Sequence, residues 1–524
     1  MENEKLKVKI FVVISTFCFL FSILLPVRAL ALSAKYPKIA NYYLVSSIQA
    51  SSFDRLKKYD LLILPMEAQY HDQEFLKNLK RAKPEIILLP YIPIQSVNQQ
   101  SLDDPALLRA KMMRAISPSW WLKDSAGREL YFSSQNPPVS RPDIKMVNPL
   151  SLWQDFLPNF IADEILNTGL WDGVFFDMVD QTIDWLNHGD IDLDGDKKQD
   201  DPIILNLAWQ MGLEQIMSKT RKIIGDKFMI INGSSYQGFQ AYINGRMFEV
   251  FPTPWLKKWS WSDSMADYLA LPRFVRSPPM FIINLGGEEK AQRARFGLAS
   301  ALLGDGYFSM DKGIERHAAL YWFPEYEINL GAPLGSPYNL SASGKKTIKE
   351  GVWRRDFEQG IVILNSSQSP FQISFEESFE QPLPTPSASG PMISSLTLVA
   401  SEGSILLKPI SEIYGRAFLN GSYVRIFNAQ GEKKRNGFFA FVKGVKGRSF
   451  VLFQDFNKDG RGEMMVINGA EVTVKYLNRE VSFSPFHGAS SPSFAFADLN
   501  NDQKFEFIFG APPLSPPWVK VLSS

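Results

Sequence analysis

Two acidic residues in this chain close apolar runs that read as buried strands, Gly173-Val-Phe-Phe-Asp177 and Arg246-Met-Phe-Glu249. A carboxylate ending a desolvated strand is costly unless it is hydrogen-bonded or used in chemistry, because burial penalises the ion. Two such groups facing one another suit cleavage of a glycosidic bond. One protonates the departing oxygen, and the other attacks the anomeric carbon or activates a water. On this reading Asp177 is the nucleophile or base and Glu249 the general acid. The plainer alternative makes them helix caps or ion-pair partners at the rim of a fold.

Residues so far apart in sequence need a scaffold that converges them. From about Lys38 to Trp322, short apolar runs alternate with helical stretches, the signature of parallel β/α units. Eight strands are predicted: Ile39–Leu44, Leu61–Pro65, Ile86–Ile92, Gly173–Met178, Phe228–Asn232, Arg246–Phe251, Met280–Asn284 and Gly306–Met310. Helices fit between them at Phe53–Tyr59, Asp72–Arg81, Leu152–Asn167, Ile203–Ile224 and Glu288–Leu303. The span, 38–335, suits the roughly 250 residues of a (β/α)8 TIM barrel with insertions. A doubly wound open sheet is the rival, but no glycine-rich phosphate loop follows the first strand. Barrels build their sites at the carboxyl ends of the strands. That rule adds Glu67, Tyr91, Asp180, Asn232, Asn284 and Asp311 as candidate substrate-binding residues. Strands four and six are two positions apart, so their terminal carboxylates can face one another across a sugar. Trp120, Trp121, Lys123 and Asp124, in the long insertion after strand three, are candidates for a stacking and hydrogen-bonding platform, with plain packing equally open. Gly286-Gly287 after strand seven leaves a phosphate-handling barrel open.

The run Gly173-Val-Phe-Phe-Asp177-Met-Val-Asp180, the Trp121-Leu-Lys-Asp124 stretch upstream, Asn232-Gly233 and Glu249 together resemble the hypothetical glycosyl hydrolase family 15. The chain is also similar to the endo-α-1,4-polygalactosaminidase family, whose fourth strand likewise ends in Gly-x-Phe-x-Asp. The resemblance spans roughly residues 38–410, because Trp353-Arg-Arg-Asp356-Phe-Glu-Gln-Gly360 looks like the opening of the β-sandwich that follows such barrels. It implies a polysaccharide or glycoconjugate substrate and maps Asp177 and Glu249 onto the catalytic pair. It does not carry the sugar over with the fold.

Asp190-Ile-Asp192-Leu-Asp194-Gly195-Asp196, with Asp201 at the twelfth place, has calcium-loop spacing: acids at one, three and five and a glycine for the turn. An acidic solvated loop is the alternative. Near Ser336 the texture changes to short alternating runs, predicted as a small β-sandwich over 336–410. The remaining segment, 411–524, repeats Asp455-x-Asn457-x-Asp459-x-x-x-Glu463 as Asp498-x-Asn500-x-Asp502-x-x-x-Glu506, each flanked by apolar strands. These units resemble FG-GAP or integrin-type propeller repeats, which implies a propeller-like all-β module and structural Ca2+.

The composition excludes some partners. Lys and Arg number 56 against 55 Asp and Glu, so no global field favours nucleic acid. Lys5, Lys7 and Lys9, the apolar run Ile10–Leu25 and Ala29-Leu-Ala31 read as a signal peptide over 1–31, hence a secreted or cell-envelope protein. A membrane is a partner only if that segment stays uncleaved. The sole cysteine, Cys18, lies within it, which excludes a disulfide framework. His71, His188, His317 and His487 are scattered and suggest neither a zinc site nor a Ser-His-Asp triad. Ten of the twelve tryptophans fall between Trp120 and Trp322, as core or as sugar-stacking surfaces. Two functions fit: a secreted glycoside hydrolase, or a catalytically silent carbohydrate-binding or adhesion protein on the same barrel.

Overall fold

A computed structural model describes residues 36–524 apart from 100–106, 136–137, 253–259, 314–316, 342–347 and 383–390, and, beyond the barrel, 409–416, 421–422, 428–432, 440–448, 455, 457–462, 476–479, 487–491, 503, 512–518 and 524. The proposed signal segment, 1–31, and Asp455, Asn457 and Asp459 lie outside the described residues. Among those described, no helix is long and apolar enough to cross a membrane.

The eight predicted strands form: β1 (Lys38–Tyr42), β2 (Leu61–Pro65), β3 (Ile87–Pro93), β4 (Gly173–Val179), β5 (Phe228–Gly233), β6 (Gly245–Phe248), β7 (Ile282–Gly286) and β8 (Tyr307–Asp311). They are all parallel and close into one barrel, with Lys38 of β1 paired to Tyr307 of β8 and Ala40 of β1 to Leu61 of β2. Strands covered on both faces read as continuous apolar runs, which is why Leu61-Leu-Ile-Leu and Gly173-Val-Phe-Phe are buried throughout.

Alternation along each strand then sorts the residues. Ala40, Leu61, Ile63, Leu89, Phe175, Ile230, Met247, Ile282 and Tyr307 fill the barrel's interior as one cluster. Ile39, Leu62, Leu88, Phe176, Ile231, Phe248 and Phe308 point outward into the layer beneath the helices. Carried two residues further toward the carboxyl ends, the inward set becomes Tyr42, Tyr91, Asp177, Asn232, Glu249, Asn284 and, on β8, Ser309 and Asp311. The same period of two that packs the barrel's floor therefore sends polar side chains into its mouth.

The predicted helices form at Phe53–Leu56, Gln73–Ala82, Trp153–Phe160, Pro202–Ile224 and Ala291–Leu303. The third runs on as a wider π turn, Ile161–Ile165, after Pro158, which lacks the N–H for a regular turn. Leu108–Ala115 and Trp261–Ala270 are further helices that the pattern did not reveal. Trp153, Trp171 and Trp209 are fully buried, their indole N–H groups donating to Ile94 O, Gln69 Oε1 and Asp180 O; these three tryptophans are core.

After the barrel, the expected sandwich is one six-stranded antiparallel sheet over 338–407. A single sheet suffices because its long strand, Phe371–Glu380, shifts register between Ser374 and Phe379. That strand thereby pairs with Met392–Leu398 and, at Glu380, with Leu407. Ile361, Ile363, Phe379, Leu398 and Leu406 make a core of their own, while Trp353, Val362, Leu364 and Ile405 join the barrel's outer layer. Gly403 allows this contact: a Cβ there would stand 2.4 Å from Arg295 O of helix Ala291–Leu303. Arg355 donates to Leu302 O and Gly304 O, supplying partners to carbonyls at the end of that helix. Among the described residues, the C-terminal segment holds three antiparallel sheets of three, four and three strands. Phe456, Ile467, Val472, Phe507 and Phe509 form a shared core for the last two.

Candidate active site

Both proposed catalytic carboxyls sit where the backbone leaves regular strand geometry. β4 pairs with β5 in register from Gly173–Phe228 to Phe176–Ile231, then shifts to Val179–Gly233, a bulge at Asp177-Met178. Met178, just after Asp177, has φ 62°, and Val250, just after Glu249, has φ 49°. Left-handed backbone at a β-branched residue is rare and costs about 1–3 kcal/mol, and it persists where the surroundings over-determine it. Gly233 lets β4 and β5 approach at the bulge, since a Cβ there would lie 2.1 Å from Val179 O.

The inward-facing polar residues form one connected network. Tyr91 Oη donates to Asp177 Oδ2 at 2.6 Å. Asn232 Nδ2 donates to Asp177 Oδ1 at 2.9 Å and to Glu249 Oε2 at 2.8 Å. Because both oxygens are bound to one nitrogen, at 2.9 and 2.8 Å, they stand no more than 5.7 Å apart. The other oxygen, Glu249 Oε1, lies 3.3 Å from His317 Nε2, and His317 Nδ1 lies 3.0 Å from Asp311 Oδ2. Asp311, fully buried, also accepts from Asn284 Nδ2 at 3.1 Å and from the Gly313 N–H at 2.6 Å. The Tyr42 ring packs against His317, centroids 4.1 Å apart.

This environment raises both carboxyls, with different opposing causes. Burial, reinforced by the charge of Asp177, pushes Glu249 up to about 7, and His317 and Asn232 offset only part of that. Burial also raises Asp177, but hydrogen bonds from Tyr91, Asn232 and the Met178 N–H oppose the shift and favour its ion. Burial and the neighbouring Asp177 keep the Tyr91 phenol protonated far above the usual range, so it remains a donor. Asp180, half-buried beyond the bulge, is pushed up to about 6 by burial and by Asp177. Arg246, almost wholly enclosed between Ser235 and the Phe248 ring, is pulled down to about 10 by burial.

Asp177, Glu249, Tyr91, Asn232, Asn284 and Asp311 thus converge as expected. Glu67 stands beside them: it pairs with Arg109 at 2.5 Å, and that guanidinium lies 6.0 Å from the centre of the Tyr91 ring. Seven buried side-chain atoms lack a partner among the described residues. Four of them belong to Glu67 and Gln95, just beyond β2 and β3, and to Asn284, within β7. The insertion residues behave differently. Trp120 packs on Phe156, Trp121 is covered by Lys145 at 4.2 Å, and Lys123 pairs through its backbone with Glu129 and Asp192. Asp124, 2% exposed, accepts from the Ala126 and Arg128 backbone N–H groups and the Arg128 side chain. These four build the insertion and do not join the network. His317 and Tyr42, which packs on it, are the members of this cluster that the sequence reading missed.

The acidic loop after β4 takes a different frame from the twelve-residue one expected. Asp201 is the N-cap of helix Pro202–Ile224, its Oδ1 accepting from the Ile203 and Ile204 N–H groups, and Asp190 Oδ1 accepts from Ser125 N–H. Asp192, Asp194 and Asp196 gather one carboxylate oxygen each within 4.8 Å of one another. Asp200 Oδ2 accepts the Leu193 N–H at 2.7 Å, just as Glu463 Oε2 accepts that of Phe456 at 2.8 Å and Glu506 Oε2 that of Leu499 at 2.7 Å. All three loops thus bring the acid at the ninth place to the N–H of the second. Such hard oxygen donors fit calcium. In the last loop Asp498 and Asn500 accept from the Asp502 N–H.

No curated protein matches the chain. Among solved structures it is similar to an α-amylase from Malbranchea cinnamomea, at 9% identity over 71% of this chain and 96% of that one, TM-score 0.38. It is also similar to the glycoside hydrolase domain of PelA from Pseudomonas aeruginosa, at 14% identity over 53% and 98%, TM-score 0.33. A maltogenic α-amylase, AmyB, from Thermotoga neapolitana is similar at 10% identity over 71% and 98%, TM-score 0.40. The sequence profile of one family covers residues 80–361, more than half of the chain and all of the barrel from β3 onward. With its two carboxyls held by one asparagine at the mouth of that barrel, the chain belongs to the hypothetical glycosyl hydrolase family 15.

Proposed function

We propose that the protein is an exported glycoside hydrolase that cleaves a polysaccharide or glycoconjugate with retention of anomeric configuration, Asp177 acting as nucleophile and Glu249 as acid and base. The observation that carries this reading is the single Asn232 amide donating to both carboxyls. Two oxygens no more than 5.7 Å apart suit the close pair of a retaining enzyme, whereas an inverting pair needs ~6.5–9.5 Å to admit a water. The roles follow from the surroundings. Glu249, pushed up to about 7, is the group that keeps a proton to give. Asp177, held by two donors, presents a carboxylate to the anomeric carbon. The unpartnered polar atoms of Glu67, Gln95 and Asn284 suit a ligand rich in hydroxyls, since unmatched buried polar groups are costly.

The test is to incubate the protein with neutral and amino-sugar polysaccharides and follow the new reducing ends by proton NMR before mutarotation. The expected first-formed anomer has the configuration of the bond cleaved. The opposite anomer would remove Asp177 as nucleophile, and cleavage of none of them would favour a carbohydrate-binding protein.

Calcium has a structural place in this proposal, at Asp192, Asp194, Asp196 and Asp200 and at the two C-terminal loops, the first of these bracing the wall beside β4. A ligand present at 100 times its Kd stabilises the folded state by about 2.7 kcal/mol, so chelation lowers Tm. Calorimetric titration of the stripped protein with Ca2+ is expected to give one site fewer in Asp194→Asn than in the natural protein. Equal stoichiometry removes the barrel loop from the set.

A further inference from the structure

His317 has no role in the two-carboxylate scheme, yet it touches one half of it. It enters from the connection beyond β8, six residues after Asp311, and is only 12% exposed. Four elements face its ring: Asp311 from β8 at Nδ1, Glu249 from the end of β6 at Nε2, Asp177 from β4 across the network, and the Tyr42 ring from β1, tilted against it. Among the described residues, the other hydrogen-bond partners of the Asp311 carboxyl are donors, Asn284 Nδ2 and the Gly313 N–H, and a carboxylate accepts. His317 Nδ1 therefore carries a hydrogen toward Asp311, and the tautomer is set by that carboxyl. With Nδ1 committed, Nε2 is left to meet Glu249 Oε1.

We propose that His317, clamped by Asp311, is the positioning residue for Glu249, sharing one proton between Nε2 and Oε1. This inference rests on Glu249 being the acid and base of the reaction. With the proton on Oε1 the pair is a carboxylic acid beside a neutral imidazole. With the proton on Nε2 it is a carboxylate beside an imidazolium. A retaining reaction needs Glu249 in both forms within one turnover. In the first half the carboxyl gives its proton to the leaving oxygen as Asp177 forms the bond to the anomeric carbon and the glycosidic bond breaks. In the second the carboxylate takes a proton from water, whose oxygen bonds to the anomeric carbon and frees Asp177. The Nε2–H steadies the carboxylate form between the halves. Burial alone would push the imidazole down, but its bond to Asp311 and the charges of Asp311, Glu249 and Asp177 together hold it above its ordinary value.

Four histidines in the whole chain make this measurable without any substrate. In the full-length protein labelled with 15N-histidine, long-range 1H–15N spectra across a pH series report tautomer and midpoint for each ring, and His317→Gln identifies the signal. The expected His317 carries its hydrogen on Nδ1 when neutral and titrates above 6.5. Glu249→Gln is expected to lower that midpoint by about one pH unit, the scale on which a neighbouring charge acts. Asp311→Asn is expected to lower it too and to release the Nδ1 preference. A midpoint unmoved by Glu249→Gln, or a neutral ring protonated on Nε2, overturns the proposal. Should His317→Gln fail to fold, the signal that responds to Glu249→Gln identifies the ring. On a polysaccharide that the natural protein cleaves, His317→Gln is expected to move the alkaline limb of kcat/KM upward, because Glu249 loses the cation that favours its ion, while product configuration is unchanged. An unmoved limb counts against the shared proton. Cleavage with no coupling defeats this inference alone, and coupling with no cleavage defeats only the glycosidase reading.

Discussion

Asp177→Asn is expected to reduce turnover by about 10⁴-fold or more, some 5.5 kcal/mol at 1.36 kcal/mol per decade, with the fold and ligand binding kept. Asparagine is isosteric, and the site can satisfy it. Its Oδ1 accepts from Asn232, and its amide faces Tyr91 Oη, whose hydroxyl can turn to accept. What is lost is the bond to the anomeric carbon. Removing the charge also removes one of the causes that hold Glu249 up, so the alkaline limb of any residual activity moves down. Asp177→Ala with added azide distinguishes the roles: a nucleophile replaced by azide gives the glycosyl azide of inverted configuration, whereas azide rescue of Glu249→Ala gives the retained one. Asp177→Asn keeping normal turnover, or the two azide products exchanged, would falsify the assignment.

The barrel was legible because each of its strands is buried on both faces, and such a strand announces itself by composition within a few residues. All eight lie within three residues of their predicted bounds. The carboxyls were legible for the same reason, as charges ending runs that exclude water. Tyr91, Asn232, Asn284 and Asp311 were legible as polar residues at strand ends, and extending the inward alternation upward reaches Tyr42 as well. His317 could not be found that way. It sits in a connection with no periodicity, and only closure of β1 onto β8 carries it beneath Tyr42. Asp201 carries a second signal in the chain: an acid followed by Pro202 opens a helix, a local demand separate from the metal frame. The nine-residue spacing of the C-terminal loops, applied to Asp192–Asp200, gives the frame that the hydrogen bonds follow. The strands of residues 338–407 read as antiparallel, but whether one sheet or two was hidden, because a register shift inside Phe371–Glu380 leaves no mark in composition.

Glu249→Gln separates function from stability at the same position. Its catalytic effect is a loss of about 10²–10⁴-fold on substrates whose leaving group is a sugar, the range of a general acid. The natural protein's kcat/KM is expected to fall as pH rises through about 7, where Glu249 gives up its proton, and that limb disappears in Glu249→Gln. Stability runs the other way. The folded-state value of Glu249 lies above the ordinary 4.5, so between 4.5 and 7 the native state holds a proton that the unfolded chain has released. The stability that this proton confers is complete below 4.5 and is lost as pH rises through 7, on the order of 3 kcal/mol in all. Glutamine carries no such charge, and its amide can face a neutral His317 Nε2 while its carbonyl keeps the Asn232 bond. Measured side by side, Tm of Glu249→Gln is expected to match that of the natural protein near pH 4.5 and to exceed it increasingly up to pH 8. A Tm difference that does not change with pH would mean that Glu249 ionises as an ordinary surface carboxyl, and such a group cannot be the acid at neutral pH.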